Sequence, residues 1–83
     1  MDFSRALDLL KLGKKISRTD WNGKGMYLAL QTPDEHSANN LPYIYIVIPR
    51  TKGDDQTLNS PTYRVPWVAS QTDLLSYHWE VVE

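Results

Sequence analysis

The sequence predicts an α+β domain: an antiparallel sheet of four to five strands with one N-terminal helix and a short helix near 71–76. Three observations carry that prediction. Phe3, Ala6, Leu7 and Leu10 recur at helical spacing and form a single apolar stripe. The run Tyr43-Ile44-Tyr45-Ile46-Val47-Ile48 is aromatic or β-branched throughout, which suits a strand. Asn22-Gly23 between two shorter strand-like runs is a strong turn signal, because both residues tolerate positive φ.

The elements follow in order. Asp2 is placed to cap the first helix by accepting from unpaired amides, and Gly13 supplies its stop, which predicts a helix near 3–12. A short strand over 15–18 and a second over 26–31 flank Trp21-Asn22-Gly23-Lys24-Gly25, so residues 15–31 read as a hairpin with a wide tip. Residues 32–42 carry two prolines and Asn39-Asn40 and read as loop. The 43–48 strand is apolar on both faces, Tyr43/Tyr45/Val47 on one and Ile44/Ile46/Ile48 on the other. Such a strand needs cover on both sides, which makes a second subunit a candidate for the second cover. Pro49 to Pro61 is polar, with Gly53-Asp54-Asp55 as a turn. Thr62 to Val65 is expected to pair back on 43–48, with Pro66 interrupting the ladder and leaving Trp67 at or beyond the strand end. Ser70 and Asp73 resemble a capping box that opens the 71–76 helix. Trp79 to Val82 alternates and closes the chain as a final strand.

The 83 residues fit one small domain, 1–83, with a thin core that oligomerisation would help to stabilise. With no cysteine there is no disulfide and no thiolate metal site. No apolar run approaches the roughly 20 residues of a membrane helix, and Met1-Asp2-Phe3-Ser4-Arg5 lacks the basic and apolar regions of a signal peptide. A soluble intracellular domain is expected. The net charge of −1 lacks the basic footprint of a DNA-binding protein. Charge is nevertheless uneven. Residues 1–24 hold six Lys/Arg against three Asp, and the remainder three against seven acids. That asymmetry suits a local anionic ligand, or is simply the solvated face of a helix and hairpin.

Catalytic signals are weak. Nothing in the spacing brings His36 and His78 together, and neither has zinc-type neighbours. No glycine-rich phosphate loop follows a strand and no nucleophile elbow occurs. Asp54-Asp55 are ordinary turn acids. The expectation is a non-enzyme without cofactor or metal.

The three tryptophans say more. Trp79, alternating with Val81, reads as core. Trp21 and Trp67 each adjoin a turn, where two roles are open: plugging the core, or walling a slot that stacks a planar base. The N-terminus of the 71–76 helix offers free amides to an anion, with Gln71 and Thr72 adding neutral donors and acceptors for ribose hydroxyls or phosphate. Asp73 is either a plain capping carboxylate or an acceptor from hydroxyls or an exocyclic amine. Gly23 and Gly25 allow close backbone approach, and Arg18 and Lys24 could neutralise a pyrophosphate.

Phe3-Ser4-Arg5-Ala6-Leu7, Gly13-Lys14-Lys15, Trp21-Asn22-Gly23-Lys24-Gly25-Met26, Val65-Pro66-Trp67-Val68-Ala69-Ser70-Gln71-Thr72-Asp73-Leu74-Leu75 and Trp79-Glu80-Val81-Val82 resemble a phage-encoded family of small domains, the second family of Thoeris anti-defence proteins. The resemblance covers about 1–31 and 62–83, some 53 residues. The stretch 32–61 has no clear counterpart in the family's pattern. The resemblance implies a homotetrameric sponge in the cytoplasm of the bacterial host. It would bind a cyclic ADP-ribose-type immune messenger without cleaving it, with some relatives also holding cyclic oligonucleotides in a separate site. Carried over by position, Trp21, Asn22 and Gly23 would lie on one side of the messenger pocket. Trp67 and Ala69, Ser70, Gln71, Thr72 and Asp73 would lie on the other, across a subunit interface in one arrangement. The alternative is an interaction module docking on a host protein through an exposed aromatic strand at 43–48.

Overall fold

The computed structural model describes residues 1–21, 25–36, 40–49 and 62–83. Asn22, Gly23, Lys24, Asn39 and the Gly53-Asp54-Asp55 turn lie outside them. Helix α1 spans Phe3–Lys11, with the Asp2 carboxylate accepting from the Arg5 amide at 2.9 Å. Its end is a Schellman turn: Gly13 at φ +92° lets its own amide reach the Leu10 carbonyl and the Lys14 amide reach that of Leu9, both at 3.0 Å. The stripe read from the sequence is the buried one, with Ala6 and Leu10 wholly inaccessible.

Five strands follow: β1 (Ile16–Arg18), β2 (Tyr27–Gln31), β3 (Tyr43–Pro49), β4 (Thr62–Pro66) and β5 (Trp79–Val81), with helix α2 (Gln71–Leu75) before the last. They form one antiparallel sheet in the order β4-β3-β2-β1-β5, at the upper end of the expected strand count. The predicted hairpin pairs Ile16 with Leu28. The last strand does not extend a meander but returns to pair with β1, Arg18 opposite Trp79 and Ile16 opposite Val81. No helix of the described residues is long and apolar enough to cross a membrane.

Pro66 ends the ladder less abruptly than its missing donor suggests. It stands opposite Tyr45, and the next amide, that of Trp67, donates to the Ile44 carbonyl at 2.9 Å. Bonded and non-bonded pairs alternate along an antiparallel ladder, so Pro66 occupies a non-bonded position where no donor is required.

Alternation then sorts the sheet. One face carries Ile16, Leu28, Ile46 and Trp79 against Ala6 and Leu10 of α1, and this is the core. The other carries Ser17, Tyr27, Ala29, Tyr45, Val47 and Arg64. No described helix lies over that second face. Among the described residues two cation–ring contacts lie on it, Lys15 5.1 Å from the Tyr27 ring centre and Arg64 5.8 Å from that of Tyr45. The 43–48 strand is flanked on both edges, by β2 and β4, so it offers a partner its face and no free edge.

Candidate functional site

The hairpin and the 69–73 segment meet around Trp79. Its ring is 2% exposed and its Nε1 donates to the Asp73 carbonyl at 2.9 Å, satisfying the one polar atom it buries. Trp21 and Trp67 both pack edge-on against it, at centroid distances of 5.4 and 6.0 Å, and Phe3 stacks obliquely on Trp67 and Trp79. Trp79 is thus core, as read. Trp21 and Trp67 are half-buried: each gives one part of its ring to the core and keeps part accessible. The two readings for these rings are therefore compatible, and the rings meet Trp79 rather than facing each other across a slot within the protomer.

Arg18 ties the two segments together. Its guanidinium donates to both Asp20 carboxylate oxygens, at 3.0 and 2.8 Å, and to Asp73 Oδ1 at 2.6 Å. The second Asp73 oxygen accepts from the Ser70 amide at 2.9 Å, while Ser70 Oγ accepts from the Asp73 amide at 3.1 Å, completing the predicted capping box. Asp73 is therefore a capping carboxylate and an ion-pair partner at once. The hydrogen bonds that Arg18 donates to Asp20 and then to Asp73 raise its pKa above the ordinary value. Asp20 is held below the usual carboxylate range, chiefly by the Arg18 hydrogen bond. Burial works against the charged form of Asp73, but the Ser70 amide, the Arg18 guanidinium and the Ser70 hydroxyl outweigh it and lower its pKa.

Two concavities flank this clamp. The larger, about 430 Å³, lies under the hairpin tip, lined among others by Lys15, Ser17, Arg18, Trp21, Tyr27 and Glu83. Its volume is within the roughly 300–1,000 Å³ of small-molecule sites. The second, about 360 Å³ and more open, is bounded by Arg18, Gln71, Thr72, Leu75, Tyr77 and His78. The structure therefore places Trp21 and Arg18 in the first and Arg18, Gln71 and Thr72 in the second. Trp67 and Ala69 line neither. Ser70 is exposed at the start of α2, its hydroxyl 2.8 Å from that of Thr72.

Lys15, Ser17, Tyr27, Glu80 and Glu83 belong to the larger concavity and were not singled out from the sequence. Lys15 and Ser17 share a face of β1 at period two, and the hairpin register sets Ser17 beside Tyr27; that much was readable. The return of β5, which brings Glu80 opposite Ser17, was not. Among the described residues no group of three or more His, Asp or Glu side chains gathers as a metal site.

A family model, the Thoeris anti-defense 2-like domain, matches residues 1–82. The chain belongs to the Thoeris anti-defense 2-like family. The match runs through 32–61 as well, beyond the two blocks that carry the resemblance in the sequence. A curated relative, "Thoeris anti-defense 2" from Bacillus phage SP01, is 33% identical over 91 residues, covering 99% of this chain and 94% of its own length. In this family member the hairpin, the aromatic core and the capped α2 meet at the Arg18 clamp.

Proposed function

We propose that this chain binds a nucleotide immune messenger of the glycocyclic ADP-ribose type and holds it without cleavage, blocking Thoeris signalling in the cytoplasm of an infected bacterium. The whole-chain family match carries this reading. The site chemistry is in keeping with it: the half-buried Trp21 ring beside a concavity of about 430 Å³ offers a stacking surface for a base. Asp20 and Asp73 are tied to Arg18 and held ionised, which suits structure rather than proton transfer. Asn22, Gly23, Lys24, Trp67, Ala69, Ser70, Gln71, Thr72 and Asp73 complete the proposed messenger site.

Assembly is part of the proposal. Trp67 and Ala69 line neither of the two concavities above, and on the sheet face away from α1 Tyr27 and Tyr45 stay partly exposed, so a homotetramer would join the two halves of the site across subunits. Cyclic oligonucleotides are proposed as further ligands at a separate place.

Calorimetric titration with glycocyclic ADP-ribose, followed by heat release and chromatography of the ligand, tests the reading. Saturable binding with intact ligand recovered is expected. Recovery of a cleaved product would make the protein an enzyme, and absence of binding would remove the messenger. Trp21→Ala and Trp67→Ala are each expected to weaken binding by about 1–3 kcal/mol, the usual worth of one stacked base. Because both rings also pack on Trp79, melting curves must accompany the titrations.

A further inference from the structure

Among the described residues the larger concavity holds two cations, and they are held very differently. Arg18 has 13% of its side chain exposed and is bonded to two carboxylates, one of which, on Asp73, is itself only 11% exposed. Withdrawing Arg18 would strand a largely buried charge, so it is committed to the fold. Lys15 faces a single carboxylate oxygen of Glu83 at 3.3 Å, with 36% of the Lys15 side chain and 75% of that of Glu83 in solvent. An exposed single-contact pair of this kind is worth little and exchanges freely.

The Lys15 ammonium also lies 5.1 Å from the centre of the Tyr27 ring, which fixes it toward the concavity that Tyr27 and Trp21 share. Ser17 and Thr19 bring hydroxyls to the same lining. Glu80, across from Ser17, repels a phosphate at its own end and suits ribose hydroxyls there.

We propose that Lys15, and not Arg18, is the anion-binding group of the hairpin concavity: its ammonium exchanges the exposed Glu83 carboxylate for a phosphate of a ligand stacked on Trp21, with Glu83 acting as the competing anion. The ligand class is a nucleotide carrying a diphosphate, and in this the inference rests on the messenger-binding reading above. Arg18 becomes a positioning residue that holds α2 against β1.

Two substitutions separate the roles because they act in opposite directions. Lys15→Met keeps the aliphatic stem over Tyr27 and removes the charge, whereas Glu83→Gln removes the competitor. Titrated with glycocyclic ADP-ribose, Lys15→Met is expected to bind about ten-fold more weakly, the worth of one charge-assisted hydrogen bond. Glu83→Gln is expected to bind about two- to five-fold more tightly. Inorganic pyrophosphate, followed by amide chemical shifts, should perturb β1 and β5 of the wild type and not of Lys15→Met. Unchanged affinity in Lys15→Met overturns the assignment while leaving the messenger reading in place. Unchanged affinity in Glu83→Gln overturns the exchange. A wild type that takes pyrophosphate through Lys15 but no messenger sinks the messenger reading and keeps the anion seat. A wild type that takes neither removes both.

Discussion

Trp79 and Arg18 show how single residues divide the work between stability and binding. Trp79 spends its whole ring on the core and its N–H on the Asp73 carbonyl. Trp79→Ala should therefore destabilise the domain by about 3–5 kcal/mol, and an unaltered melting temperature would contradict its place in the core. Arg18 and Asp73 link groups 55 positions apart in the chain. Since Asp73 titrates below its ordinary value when folded, its ion pair stabilises the protein fully above about pH 4. That contribution is lost as the pH falls through the unfolded value toward the folded one. The melting-temperature gap between wild type and Asp73→Asn should accordingly be largest near neutrality and close under acid conditions. A gap of constant size from pH 7 to pH 3 would show that the carboxylate charge contributes nothing.

Among the elements, the β1–β2 hairpin and α2 each depend on one local device. Gly25 sits at φ +79° at the hairpin tip, and a Cβ there would lie 3.0 Å from Pro49 Cγ on β3. Gly25→Ala combines left-handed strain with that contact and should cost about 1–2 kcal/mol, read by chemical denaturation. Helix α2 has five residues, too few to persist without its cap. Ser70→Ala removes the acceptor for the Asp73 amide and should cost about 1 kcal/mol, with amide exchange in 71–75 rising first. The cap was legible beforehand in Ser70 with Asp73, whereas Gly25 read as a place of close backbone approach and the Asn22-Gly23 turn signal lies outside the described residues. Legible too were the helical stripe that ends at Leu10 and the glycine stop at Gly13. Each is a signal contained within a few residues, where φ preference and side-chain reach act without help from the rest of the chain.

On the scale of the molecule, the two faces of the sheet differ. One packs on α1, while the other carries the half-buried Tyr27 and Tyr45 and the exposed Arg64 around the buried Ser17, Ala29 and Val47. If that face is the subunit contact of the proposed tetramer, Tyr45→Asp should shift sedimentation toward smaller species without lowering the helix content. Tyr45→Asp sedimenting like the wild type would place the contact elsewhere.

The sheet's composition followed from local chemistry: alternation, turn residues and caps require only a few neighbouring positions, so the α+β class and nearly all element bounds were readable along the chain. The order of the strands was not. That β5 returns to β1 rests on pairings between residues some sixty positions apart, Ser17 with Glu80 and Arg18 with Trp79, which no short-range preference encodes. The site inherits that distinction. Trp21, Trp67 and the 69–73 stretch stood out because aromatic and capping residues beside turns are conspicuous in any chain. Arg18 read equally well as a free cation, and Lys15 stood out only as part of a strand and of the family resemblance, not as a site residue. Only folding set Arg18 between two carboxylates and left Lys15 on one exposed partner, since the energy of an ion pair depends on burial and geometry that the linear order does not contain.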